Sequence, residues 1–301
     1  MEEIFKKQIW ALDPDFFLTM QSIVTRAIES GRDLSFLKTT DHIKTIDSNP
    51  IQLDAAINGA FDQDLGLYIY ENSKTGKRVA EIGMVGALTK SGGLCAPGSL
   101  ALAEQINTAD ANESIDGILL FVDGPGGSIS GIQRLMSAIK DTKKPIVAYV
   151  DEMAASAHLF AIGGADYIVA NTNEYTKVGS LGVQAVLTSI TDKLDKDGIK
   201  VRVLRADQSV DKNAINQVEP WPEEAVAEMV AEMTAINTEM IGKFKAGRGD
   251  RLNTTDEDTF TGKMYTADRA QELGLIDFQG DLAGAIDFVG QLSTARKIVN
   301  N

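Results

Sequence analysis

Two histidines and one cysteine are all that 301 residues offer of the usual metal-binding and thiol side chains. With only His42 and His158, a histidine-rich metal cluster cannot be built. The single Cys95 excludes an internal disulfide and fits a reducing compartment, where a small buried hydrophobe needs no further role. A Ser-His-Asp triad is also disfavoured. It would need His158, two positions beyond Ser156 on the same expected helix, so the ring points away from that serine. Long apolar runs are missing: none approaches the roughly 20 residues of a membrane span. The opening stretch MEEIFKKQIWALDPDFF carries acids where a signal peptide has its apolar core. The sequence therefore predicts a cytoplasmic protein with no membrane anchor. Positive charge is scarce as well. Lysine and arginine number 29 against 43 acids, a net charge of −14, which argues against a nucleic-acid backbone as partner. No cofactor is expected.

What is present divides in two. Over residues 1–77, Phe5, Ile9, Trp10, Phe16, Phe17, Met20, Ile23 and Ile28 follow a helical spacing interrupted at Pro14. They predict a mainly helical N-terminal extension without a chemical motif. The polar turn Glu71–Arg78 is the boundary candidate, leaving 78–301 as the second domain. From Val79 onwards the pattern becomes strand then helix. Ile118–Val122 is a continuous apolar run, as in a strand covered on both faces. A helix is expected over Ile129–Ile139, with Ile132, Leu135, Met136 and Ile139 on one side, then a strand over Ile146–Val150. Strand, helix, strand in that order implies parallel pairing in an α/β fold. Further helices are expected over Leu187–Leu194 and Glu223–Phe244, with a strand in DGIKVRVLRADQ between them. The stripe of Val226, Met229, Val230, Met233, Ile236, Met240 and Phe244 suits a core or a subunit contact.

Two places carry chemistry. In IVAYVDEMAASAHLFAIGG, Ser156 falls where a strand hands over to a helix over Ala157–Ile162. A side chain there projects from a turn, beside helical N–H groups that have no partner within the helix. In DGPGGS, Asp123–Ser128, a glycine pair at the end of a strand lets backbone N–H groups approach a ligand closely. Such a turn suits a phosphate cradle or an oxyanion hole. The phosphate alternative lacks a following lysine and GxGxxG spacing.

Taken together, GALTK (86–90), DGILLFVDGPGGSISG (116–131), KPIVAYVDEMAASA (144–157), GADYIVA (164–170), VGSLGV (178–183) and YTADRAQELGLID (265–277) resemble, in order and spacing, the signal peptide peptidase A family of serine proteases. The chain is most similar to the family's phage branch, the prohead proteases. The resemblance implies a Clp protease/crotonase-like fold of repeated strand–strand–helix units and a Ser/Lys dyad. It places the nucleophile at Ser156, the oxyanion hole at Gly126 and Gly127, and a lysine-orienting serine at Ser180. The family lysine, counted back from EPWPEE, falls on Lys212. Here Ile215 and Gln217 replace the glycine and proline that usually follow it, and His158 replaces a small residue. Lys177, just before VGSLGV, is a second lysine in the neighbourhood. Lysine serves as base only when neutral, a state that burial favours.

The resemblance implies an ATP-independent endopeptidase acting on a protein or peptide, for instance a phage scaffold or capsid protein, in the host cytoplasm or the prohead. Homo-oligomerisation is implied as well. The alternatives are an inactive assembly member of the same family and a crotonase-type acyl-CoA enzyme, for which basic phosphate-binding residues are not evident.

Overall fold

In the computed structural model, residues 10–12, 57–93, 97–253 and 257–299 are described. The run Ile118–Val122 lies at its centre, in strand β5 (Gly117–Gly124). Ile118, Leu120 and Val122 face one apolar layer, and Leu119 faces the other. That is why the run is apolar throughout rather than alternating.

β5 is flanked by two parallel strands, β4 (Arg78–Val85) and β7 (Ile146–Ala155). Beyond β4 come β3 (Leu67–Asn72) and β2 (Ile57–Asp62), both antiparallel to their neighbours. On its other side β7 has two successive partners. Val147–Val150 pair with β8 (Tyr167–Asn171), and Met153–Ala155 pair with β9 (Lys177–Gly179). β10 (Met264–Thr266) adds antiparallel to β9, and β11 (Phe278–Gly280) adds parallel to β8. The nine strands form a single sheet. A separate two-stranded pairing joins β1 (Trp10–Leu12) to β6 (Gly126–Ser128).

Helices cover both faces. One layer holds α1 (Ser99–Ala111), α2 (Ile132–Asp141), α3 (Ala157–Ile162) and the C-terminal end of α5 (Glu223–Arg248). Leu102, Ile106, Leu135, Ile139, Phe160 and Phe244 from these helices pack on Ile82, Met84 and Leu120. On the opposite face α7 (Leu282–Val299) sets Ile286 and Val289 against Val79, Leu119, Val147 and Val169. The short α4 (Thr191–Lys196) and α6 (Ala267–Glu272) complete the helices. Helices on a largely parallel sheet make this a mixed α/β protein, consistent with the Clp protease-like fold that the sequence implies.

Several expectations shift. Residues 57–72, assigned by sequence to a helical extension, are two strands of the main sheet. The turn Glu71–Arg78 is the link of the β3–β4 hairpin. The rest of the expected extension, residues 1–9 and 13–56, lies outside the described residues, as does Cys95. The strand expected to end at Val150 continues to Ala155. The expected strand in DGIKVRVLRADQ is absent: residues 197–222 form neither helix nor strand. The expected helix over Leu187–Leu194 is reduced to α4. Ile199, Val201 and Leu204 are exposed there. Their β-propensity has no neighbouring ladder on which to act.

The elements after this segment are tied down by a buried ion pair. Arg248, at the end of α5, is almost fully buried and donates from both terminal nitrogens to the two Asp277 oxygens at 3.0 Å. Its Nε donates to the Gly274 carbonyl at 2.8 Å, and Asp277 also accepts the Ile168 N–H at 2.7 Å. The pair joins α5, the turn after α6 and β8, and its remaining polar atoms are satisfied, as a buried charge requires.

Candidate active site

β5 and β7 pair in register as far as Val122 and Val150. The register then shifts so that Gly124 faces Ala154. Beyond this irregularity β7 delivers Ser156 to the first turn of α3. Ser156 has φ 54° and ψ −112°, and its side chain is fully buried. A positive φ in a non-glycine residue is strained and persists only where its surroundings enforce it.

The surroundings are the turn that follows β9. The Ser156 N–H donates to the Gly179 carbonyl at 2.9 Å, and its Oγ donates to the Gly182 carbonyl at 3.2 Å. The second residue of this turn, Ser180, also has positive φ, 55°. Its N–H donates to the Lys263 carbonyl at 2.7 Å. Gly179 is required by close approach, because a Cβ there would lie 2.3 Å from the Lys263 carbonyl oxygen. The turn Gly179–Gly182 therefore holds Ser156 and brings Ser180 into its immediate neighbourhood. The first bond of the α3 ladder runs from the Phe160 N–H to the Ser156 carbonyl. The N–H of Ala157, next to the serine, stands outside that ladder, one of the helix-start donors that the sequence places beside Ser156.

The glycine pair is reached through His158. This side chain is fully buried, and its Nδ1 accepts the Gly126 N–H at 3.0 Å. The ring lies against Gly124, where a Cβ would come within 2.4 Å of it. Nδ1 can accept only without a proton. Burial pushes the imidazole down to about 3, opposed by the Met84 carbonyl, so the ring is neutral. Among the described residues Nε2 forms no hydrogen bond of good geometry, the nearby Met84 carbonyl included.

His158 thus takes up one of the two N–H groups that the sequence assigns to an oxyanion hole. Gly127 is different. Leu88 donates its N–H to the Gly126 carbonyl, and its own carbonyl accepts the Ser128 N–H, both at 2.8 Å. Gly126 and Ser128 therefore face Leu88, and by strand alternation the Gly127 peptide groups face the other edge. A Cβ on Gly127 would lie 2.0 Å from the Leu88 carbonyl oxygen, so only glycine fits.

Lys212 sits apart from this cluster in its bonding. It is exposed, its N–H donates to the Ser209 carbonyl at 3.0 Å, and its carbonyl accepts from Arg205 Nε at 2.6 Å. Arg205 also clasps Glu219 with two bonds of 3.1 and 2.6 Å. Lys177 lies at the start of β9 and is half-buried. Val210, two positions before Lys212, and Leu204, next to the Arg205 that bonds the Lys212 carbonyl, are exposed apolar side chains. Acids gather at the end of β5. Burial, with Asp151 and Glu152 nearby, raises the Asp123 carboxyl above its ordinary range. Among the described residues no group of His, Cys, Asp and Glu could hold a metal ion, and no helix is long and apolar enough to cross a membrane.

Comparison with known proteins bears on the family. A candidate protease of Methanocaldococcus jannaschii is 27% identical over 190 residues, covering 62% of this chain and 60% of the relative. Protease 4 of Salmonella typhi is 26% identical over 210 residues, 65% of this chain and 31% of that protein. A stretch of the Na(+)/H(+) antiporter NhaA of Brucella abortus is 27% identical over 200 residues, 64% of this chain but 26% of the antiporter. This chain thus spans less than two thirds of the length of each. The family model for peptidase family S49 matches residues 138–296, more than half of the chain. That match takes in Ser156, the turn Gly179–Gly182 and the Arg248–Asp277 pair, and by it the chain belongs to peptidase family S49.

Proposed function

We propose that this protein is a serine endopeptidase with Ser156 as its nucleophile. The observation that carries the reading is the strained, buried Ser156 held between the glycine-pair strand and the turn Gly179–Gly182. Lys212 is the expected base, Ser180 the residue that orients its amine, and Gly127 with Ala157 the oxyanion donors. Gly126 supports the hole through His158 rather than donating to it.

The chemistry follows. Ser156 Oγ attacks the carbonyl carbon of a peptide bond while its proton passes to the neutral lysine amine. The oxyanion forms against the backbone N–H groups, each such donor contributing about 3–4 kcal/mol. Collapse expels the amine, which carries away that proton. Water then attacks the acyl-serine by the same route and frees the acid and the hydroxyl. No cofactor takes part.

The exposure of Lys212 bears on how the dyad forms. A solvated lysine stays charged, so the base must be buried before it works. Exposed Leu204 and Val210, close to it through Arg205 and along the chain, are what a subunit contact would cover. We therefore read the active form as a homo-oligomer in which association buries Lys212. The same exposure favours a second reading, an assembly member of the family without activity. Within the family we place the protein among phage or prophage head-maturation proteases, acting on scaffold or capsid protein in the host cytoplasm or prohead. The ordered motifs from 86 to 277 support this. A portal gene upstream and a capsid gene downstream would be expected, and their absence would remove the phage setting.

Reaction with a serine-directed fluorophosphonate, mapped by mass spectrometry, tests the central point. Labelling at Ser156, lost in Ser156→Ala, is expected. No labelling, together with inertness towards every peptide tried, would leave the assembly reading.

A further inference from the structure

The strand that carries the glycine pair is already paired. Trp10, Ala11 and Leu12 lie antiparallel to it, in register with Ser128, Gly127 and Gly126. Among the described residues β1 belongs to no other sheet and has no other strand partner. The edge it covers is the one to which Gly127 turns its peptide groups, since Gly126 and Ser128 bond to Leu88 on the opposite side. Such an edge is a template for an extended peptide, read through its backbone.

The direction of β1 matters. From Trp10 to Leu12 the chain runs from Ser128 back towards Gly126, and Gly126 is the residue whose N–H bonds to His158, two positions from Ser156. An extended segment entering along this edge is thus led towards the serine. Ala11 stands opposite Gly127, whose N–H is the oxyanion donor in the protease reading.

From this geometry we infer that residues 10–12 are a built-in occupant of the peptide-binding edge and compete there with an incoming peptide. The competition with substrate rests on the protease reading, whereas occupation of the edge rests on the pairing of β1 with β6 alone. A segment tethered in the same chain acts at an effective concentration set by its connection. It therefore masks the edge against any peptide at lower free concentration. Displacing it exposes the Gly127 N–H and the approach to Ser156 together, so recruitment of the N-terminal segment by a partner would open the site.

The test changes the backbone only. In the full chain carrying Ser156→Ala, Ala11→Pro removes the N–H that faces Gly127 and disfavours a paired strand. A fluorescein-tagged peptide, KKQIWALDPDF (residues 6–16), is titrated by anisotropy into the chain with and without Ala11→Pro. At least tenfold tighter binding to the Ala11→Pro chain is expected, and equal affinity would overturn the inference. Hydrogen exchange gives a second readout. The Gly127 amide should exchange at least tenfold faster in Ala11→Pro while the β5 amides keep wild-type protection. Unchanged exchange at Gly127 with β5 intact would likewise overturn it. Fluorophosphonate labelling of the Ala11→Pro chain with Ser156 restored reports separately on the protease reading. Absent labelling would sink that reading while the binding comparison still decides whether the edge is occupied.

Discussion

The backbone N–H of Gly126 donates to Nδ1 of His158 at 3.0 Å, which fastens the glycine strand to the first turn of α3. A buried neutral imidazole thereby sets the distance between the two halves of the candidate site. The bond makes a sharp set of expectations.

His158→Leu removes the acceptor and leaves the Gly126 N–H buried and unpaired, a cost of about 1–3 kcal/mol. His158→Asn can present Oδ1 where Nδ1 stood. Peptide hydrolysis should fall on the order of 10-fold or more in kcat for His158→Leu, with KM little changed, and recover in large part in His158→Asn. Equal losses in the two variants would mean that the ring only fills space.

The same imidazole predicts a pH effect on folding. Its folded value, about 3, lies below the unfolded value of 6.5. The unfolded chain therefore binds the proton first, and stability is fully present above pH 6.5. It declines as pH falls from 6.5 towards 3, by up to about 1.4 kcal/mol per pH unit from this group. Urea unfolding of wild type and His158→Asn between pH 7 and 4.5 should show the steeper loss in wild type. Parallel slopes would contradict the buried neutral ring.

Ser156 itself carries strain that glycine would not. With φ at 54°, Ser156→Gly should be more stable than Ser156→Ala by about 1 kcal/mol, although both lack the hydroxyl and should be unlabelled and inactive. If the alanine variant proves as stable as the glycine one, the serine backbone is not held as described.

Association and the base can be tested together. Leu204→Glu places a charge among the exposed apolar residues beside Lys212. It should lower the mass seen by light scattering and the hydrolysis rate in parallel, each recovering as protein concentration rises. Lys212→Met should be inactive at any concentration while keeping its assembly state. If Lys177→Met loses activity and Lys212→Met keeps it, the base lies at the start of β9 instead.

The Arg248–Asp277 pair should dominate the stability of the C-terminal elements. Asp277→Ala leaves a guanidinium buried without its partner, a loss of about 3–5 kcal/mol. Replacing both residues by apolar ones of similar size should cost less than Asp277→Ala alone. A single-variant loss below 1 kcal/mol in denaturant unfolding would show the pair to be solvated.

The centre of the fold was legible because its signals are local. Ile118–Val122 must be covered on both faces to be apolar throughout, and Ser156 stands between an apolar strand and a glycine-ended helix. What escaped depends on partners distant in sequence. Leu67–Asn72 is a strand because it finds a ladder next to β4, and Ile57–Asp62 because it finds one next to β3 in turn, pairings that their sequences do not specify. Conversely, Ile199, Val201 and Leu204 have strand-forming side chains yet lie in no ladder. The role of His158 was hidden for the same reason. Its bond to Gly126 spans 32 positions, and sequence could say only that the ring points away from Ser156.

Helix α5 is 26 residues long, roughly 39 Å at 1.5 Å per residue, yet Met240, Phe244 and Arg248, all in its last third, are its only buried residues. It is therefore a mast stepped in the core at one end. The stretch that bears Lys212 is strung between the free end of that mast and the turn at Gly182, which touches the serine. That stretch thus has one end on the turn that accepts the serine hydroxyl and the other on the unburied end of the helix.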